Sequence, residues 1–114
     1  MRFWDSSAII PLCLEEPASE KVRNLAEKDE DLVAWWATRV ECISAMARRR
    51  REGGLTSQAE RNARTALSAL AAEWSEIQPT EPVRHRAERL LMVHPLRAAD
   101  ALQLAAALIW TEEA

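Results

Sequence analysis

At 114 residues, with 48% apolar and 29% charged side chains, the chain suits one globular domain spanning residues 1–114 and excludes a disordered or fibrous segment. Its net charge of −3 removes the broad basic excess of most nucleic-acid binders, so any RNA contact must come from local patches or from bound cations. The longest apolar stretch, Leu104–Trp110, is too short to cross a bilayer, and Asp5 interrupts any leader-like apolar run.

Arg2, Phe3 and Trp4 predict a short strand ending at Asp5, and Ile9 to Leu14 a short buried helix with Pro11 in its first turns. Pro17 closes that unit. Ser19 to Lys28 predicts a helix with Val22, Leu25 and Ala26 at helical spacing, and Asp29-Glu30-Asp31 a turn. Leu32 to Ala37 is an unbroken apolar run, which suits a strand buried on both faces, and Trp35-Trp36 reads as core packing. A helix from Thr38, with Val40, Ile43 and Ala47 on its apolar face, ends in Arg48 to Arg51 and stops at Gly53-Gly54. Ser57 begins another, striped by Ala59, Ala63, Leu67, Leu70 and Trp74. Ser75 to Gln78 predicts a third strand, with Ile77 inward. After Pro79 and Pro82 comes a helix with Ala87, Leu90 and Leu91 inward; Pro95 breaks it, and Leu96 to Trp110 is an apolar helix with Leu104 and Leu108 one turn apart. Strands alternating with helices predict a parallel sheet with helices on both faces.

In such a sheet ligands gather outside the carboxyl ends of the strands. Asp5 follows the first strand, Glu41 lies a helical turn past the second, and Asp100 opens the last helix. Three carboxylates meeting there repel one another unless a cation joins them, and an all-oxygen donor set suits magnesium or manganese. Each acid also has a structural role open to it. Asp5 can cap a helix, Thr38-x-x-Glu41 matches a capping box, and Asp100 sits where the helix dipole favours an acid. Ser57-x-x-Glu60 has the same box pattern with no chemistry attached, so spacing alone leaves both readings open.

Arg2-Phe3-Trp4-Asp5-Ser6-Ser7-Ala8 resembles the opening of a PIN domain, Thr38-Arg39-Val40-Glu41 its second acidic motif, and the stretch from Leu96 through Asp100 to Ala105 its third. The order and separations also match, and the nearest subgroup is the VapC-like toxins of type II toxin–antitoxin pairs. The resemblance implies a three-layer PIN-like α/β fold, a parallel sheet flanked by helices. It implies an endoribonuclease dependent on Mg2+ or Mn2+, with Asp5, Glu41 and Asp100 catalytic, Asp5 and Asp100 as metal ligands, and Ser7 supporting Asp5 or a metal-bound water. It implies an RNA substrate, a VapB-like antitoxin, a homodimer and a cytoplasmic location without membrane attachment. Family members continue into a further strand beside the first, usually followed by another acid. Here the chain ends at Thr111-Glu112-Glu113-Ala114, and Glu112 and Glu113 do not sit in that motif. The expectation is therefore a C-terminally incomplete domain with an unpaired first strand. A crippled site that leaves only an antitoxin-binding or self-associating module is the competing function.

Arg39 and Arg97 flank the proposed acids and can orient carboxylates, hold substrate phosphate or form ordinary ion pairs. Arg48 to Arg51 reads first as a solvated helix end complementing the dipole, with phosphate contact as the alternative. His85 and His94 read as surface residues. Cys13 and Cys42 read as small buried residues of a reducing cytosol, with neither a disulfide framework nor a zinc site. A phosphoacceptor receiver domain needs a late lysine, and the only lysines are Lys21 and Lys28. A P-loop is absent because Gly53-Gly54 lacks the following Lys-Ser/Thr.

Overall fold

Leu32, Val33, Ala34 and Trp35 form a strand in which every residue is buried, so both of its faces must be covered. In the computed structural model, which describes residues 1–29 and 31–113, this strand, β2 (Leu32–Trp35), is the middle of a three-stranded parallel sheet. It pairs on one side with β1 (Arg2–Phe3), where Phe3 lies opposite Val33, and on the other with β3 (Ser75–Ile77), where Trp35 lies opposite Ile77. Helices α1 (Ser6–Cys13) and α2 (Ser19–Glu27) make the first crossover; α3 (Thr38–Arg51) and α4 (Ser57–Glu73) make the second. Helices α5 (Glu81–Val93) and α6 (Ala98–Glu113) follow β3.

Period-two alternation along β2 divides the core. Leu32 and Ala34 join Trp4, Ile9, Cys42, Met46, Leu67 and Trp74 against α1, α3 and α4. Trp35 joins Val83, Ala87, Ala101, Ala105 and Ala106 against α5 and α6, with Phe3 and Ile77 packed alongside. Helices thus cover both faces, as the alternation of elements predicted. The line of alanines on α6 lets it lie close to the sheet and to α5, and Phe3 meets Trp110 with ring centroids 6.4 Å apart.

Several expectations shift in detail. Asp5 caps α1, so that helix begins at Ser6 and Pro11 lies in its interior rather than its first turns. β2 ends at Trp35, and Trp36 is 51% exposed instead of packed in the core. The buried face of α3 is Thr38, Cys42, Ala45 and Met46; Val40 points outward. Leu91, expected inward, is 40% exposed, because Ala87 and the alanines of α6 occupy the α5–α6 contact. Of the expected turn Asp29-Glu30-Asp31, Glu30 lies outside the described residues. Its neighbour Asp29 is buried, accepting from the Trp4 indole at 3.1 Å and pairing with the Met1 amine at 2.8 Å. Cys13 and Cys42 are free thiols pushed up by burial to about 11 and about 12.

The glycine stop of α3 takes a specific form. Gly54 N–H donates to the Arg49 carbonyl (2.9 Å) and Gly53 N–H to the Arg50 carbonyl (3.1 Å), with Gly53 at φ +82°. This is a Schellman closure, in which the residue after the C-cap must be left-handed.

Candidate active site

Asp5 sits two residues beyond β1 with extended backbone, and its Oδ1 accepts from the Ala8 amide at 3.0 Å as the N-cap of α1. The same oxygen accepts from the Ser7 hydroxyl at 2.9 Å. Capping therefore explains the placement of the carboxylate without using up its chemistry, since the side chain remains exposed. Asp100 lies in the first turn of α6, also exposed. Although 95 positions separate them in the sequence, Asp5 and Asp100 line one cleft of about 380 Å3 together with Phe3, Ala8, Gln103, Leu104 and Ala107.

Glu41 comes from the first turn of α3 and is half-buried. The capping box expected for Thr38 and Glu41 does not form: the N-cap of α3 is Ala37, with no side-chain cap. Instead both side chains turn to Gln103 on α6. The Gln103 amide nitrogen donates to Thr38 Oγ1 at 2.8 Å and to Glu41 Oε1 and Oε2 at 3.1 Å each. This fixes the amide's orientation, because a flipped Gln103 would oppose its carbonyl to a carboxylate. Gln103 Oε1 is buried without a partner. Burial raises the Glu41 carboxyl above its ordinary range; the Gln103 hydrogen bond works against that rise, and the charges of Asp100 and Asp5 add to it. The three acids from three parts of the chain therefore share one electrostatic neighbourhood.

They do not close into a cage. Among the described residues, no three Asp, Glu, His or Cys side chains stand close enough to enclose a metal ion. The donors present are carboxylate oxygens, with Asp5 and Asp100 in one open cleft and Glu41 held back by Gln103. That set fits a magnesium-like cation, which binds through one or two carboxylates and keeps several of its waters.

Gln103 is the site residue that the sequence did not reveal. Its only local signal is its place one turn after Asp100, which puts both on one face of α6. The arginines take other places. Arg39 turns away from the acids and donates to Ser68 on α4 at 3.0 Å. Arg97 is exposed just before α6 and is not part of the cleft lining. Glu112 pairs with Arg86 at 2.8 Å. A larger apolar groove, about 550 Å3 between α2 and α4, carries Glu27, Asp29 and Glu73, but Asp29 is already committed to Trp4 and the Met1 amine.

Acids following the first strand and opening the last helix, converging at the carboxyl end of a parallel sheet, place the chain in a recognisable class. The PIN domain family model matches residues 2–109, and the chain belongs to that family. Its fold is similar to that of the Mycobacterium tuberculosis toxin VapC20, described as cleaving the sarcin–ricin loop. The TM-score is 0.71 at 19% identity, over 92% of this chain and 79% of that one. No protein of curated function matches the chain. Among the described residues, no helix is long and apolar enough to cross a membrane.

Proposed function

We propose that this chain is a Mg2+- or Mn2+-dependent endoribonuclease toxin of the VapC type, acting in the cytoplasm and neutralised by a VapB-like antitoxin. The observation that carries the reading is the meeting of Asp5 and Asp100 in one cleft, with Glu41 within reach of their charges. Asp5 and Asp100 would hold the cation. Bound there, it supplies neutralisation of phosphodiester charge and acidifies a coordinated water. Ser7 keeps one Asp5 oxygen oriented, leaving the other side of the carboxylate for the ion. Glu41, clamped by Gln103, accepts the proton of the attacking water. Substrate RNA enters from the open side of the cleft, beside the exposed Leu104. A homodimer belongs to the same reading.

A second reading, a PIN-fold module that binds a partner without cutting, is favoured by the lack of a three-acid cage among the described residues. Calorimetric titration with Mn2+ and RNA cleavage by the wild type, Asp5→Asn and Asp100→Asn separate the two. The nuclease reading expects Mn2+ binding and cleavage by the wild type, with both lost in each variant. Equal cleavage by all three sinks the site; Mn2+-independent antitoxin binding with no cleavage by any of them leaves the module.

A further inference from the structure

Helices α3 and α4 pack side by side in opposite directions, and hydrogen bonds between an arginine and a serine mark both ends of their seam. At one end Arg39 Nη2 donates to Ser68 Oγ at 3.0 Å; at the other Arg50 Nε donates to Ser57 Oγ at 3.2 Å. Arg39 and Arg50 are eleven positions apart, three helical turns, and so lie on the same face of α3. Ser57, Arg61, Arg64 and Ser68 lie on one face of α4 by the same geometry, and Arg61, Arg64, Thr65 and Ser68 line one depression between the ends.

Four exposed guanidiniums thus form a row in a chain whose overall charge is negative. Part of their capacity is taken: Arg61 donates to Gln58 Oε1 at 2.8 Å, and Arg64 stands 3.5 Å from the largely buried Glu60. Even with Glu60 counted, the row keeps a positive excess, and although Thr65 gives its hydroxyl proton to the Arg61 carbonyl at 3.0 Å, Ser57 and Ser68 only accept from the arginines and keep theirs to donate. That combination suits phosphate oxygens, which take both charged and neutral donors.

From these placements we propose that the α3–α4 seam is a binding track for the phosphate backbone of single-stranded RNA, leading to the candidate active site. The inference rests on the nuclease reading for its direction and on the arginine row for its existence. From Ser57 to Ser68 the track is roughly 16 Å long at helical rise. That length covers about three to five phosphates of a strand at its ordinary rise. The track ends at the first turn of α3. Arg39 faces the seam there, and Glu41, two residues on, is held by Gln103, which itself lines the cleft. A strand leaving the seam crosses the N-terminal end of α3, about 10 Å across, to reach the Glu41–Gln103 side of the candidate site. RNA is favoured over an acidic protein because the row is linear, hydroxyl-rich and has no apolar centre to anchor a folded partner.

The test uses an unstructured 20-nucleotide RNA and the whole chain in EDTA, so that nothing is cut, with fluorescence anisotropy read across a salt series. Arg39→Gln with Arg61→Gln is compared with Arg84→Gln with Arg89→Gln, which removes the same charge from exposed positions on α5. The seam variant should bind about tenfold more weakly, with its salt slope reduced by roughly 0.7 for each phosphate it no longer neutralises. The α5 variant should match the wild type. In Mn2+ the seam variant should raise KM and leave kcat and Mn2+ affinity unchanged. Equal losses in the two variants, an unaltered seam variant, a wild type that does not bind the RNA, or polyglutamate competing as well as RNA would each overturn the track. RNA binding through the seam without cleavage by the wild type would sink the nuclease reading alone.

Discussion

At the scale of single residues, the side chains of the cleft combine two duties that substitution can separate. Asp5 caps α1 and faces the cleft with the same carboxylate. Asparagine caps a helix about as well as aspartate, whereas alanine costs about 1 kcal/mol. Asp5→Asn should therefore melt near the wild type while Asp5→Ala falls by that amount, measured by denaturant unfolding without metal. Glu41 offers a pH-dependent check. Burial and the neighbouring acids raise its folded-state pKa, so its ionised form costs stability. That cost is complete above the folded pKa and vanishes as pH falls below the ordinary carboxylate value of about 4.3. Glu41→Gln should raise the melting temperature of metal-free protein at pH 7, with the gain fading toward pH 4; a gain that grows on acidification would contradict the assigned direction. Gln103→Leu leaves Thr38 and Glu41 without their shared donor and should destabilise by about 1–3 kcal/mol in the same assay.

Among the elements, the closing of α3 makes a sharp comparison. Gly53 is left-handed, and a Cβ in that conformation costs roughly 1–2 kcal/mol. Gly54 is not left-handed, and a Cβ there would meet the Arg49 carbonyl at an ordinary 3.7 Å. Gly53→Ala should lower stability by that amount and Gly54→Ala should leave it nearly unchanged, read from urea midpoints. The helix and strand pattern was legible because long periodic runs and Pro or Gly boundaries speak locally: β2, α4 and the stop at Gly53 all follow from such signals. The inward face of α3 was not, because its buried residues are Thr38, Cys42, Ala45 and Met46, while the more apolar Val40 is exposed. On α6 the buried line is alanine rather than leucine, since close helix packing favours small side chains over greasy ones. The three acids were legible as candidates. Their arrangement was not, because Gln103 reaches Glu41 across 62 positions of sequence and no local pattern encodes that contact.

For the molecule as a whole, β2 is, among the described residues, the only element with residues in both core clusters, and the two sides of the sheet are otherwise packed against different helices. Asp5 and Glu41 belong to the α1–α4 side, while Asp100 and Gln103 ride on α6 on the other. A cation held by Asp5 and Asp100 would therefore tie the two sides together. At a hundred times its dissociation constant, such a ligand adds about 2.7 kcal/mol to unfolding. A scan of melting temperature against Mn2+ should rise for the wild type and stay flat for Asp100→Asn. The divided core also bears on local opening. If the α5–α6 pair lifts from the sheet as a unit, it carries away half of the cleft while α1 to α4 stay packed. Amide exchange would then report two separate openings in the free protein, one for each side. With Mn2+ present, amides at the start of α1 and the start of α6 should gain protection together, merging two local events into one cooperative opening.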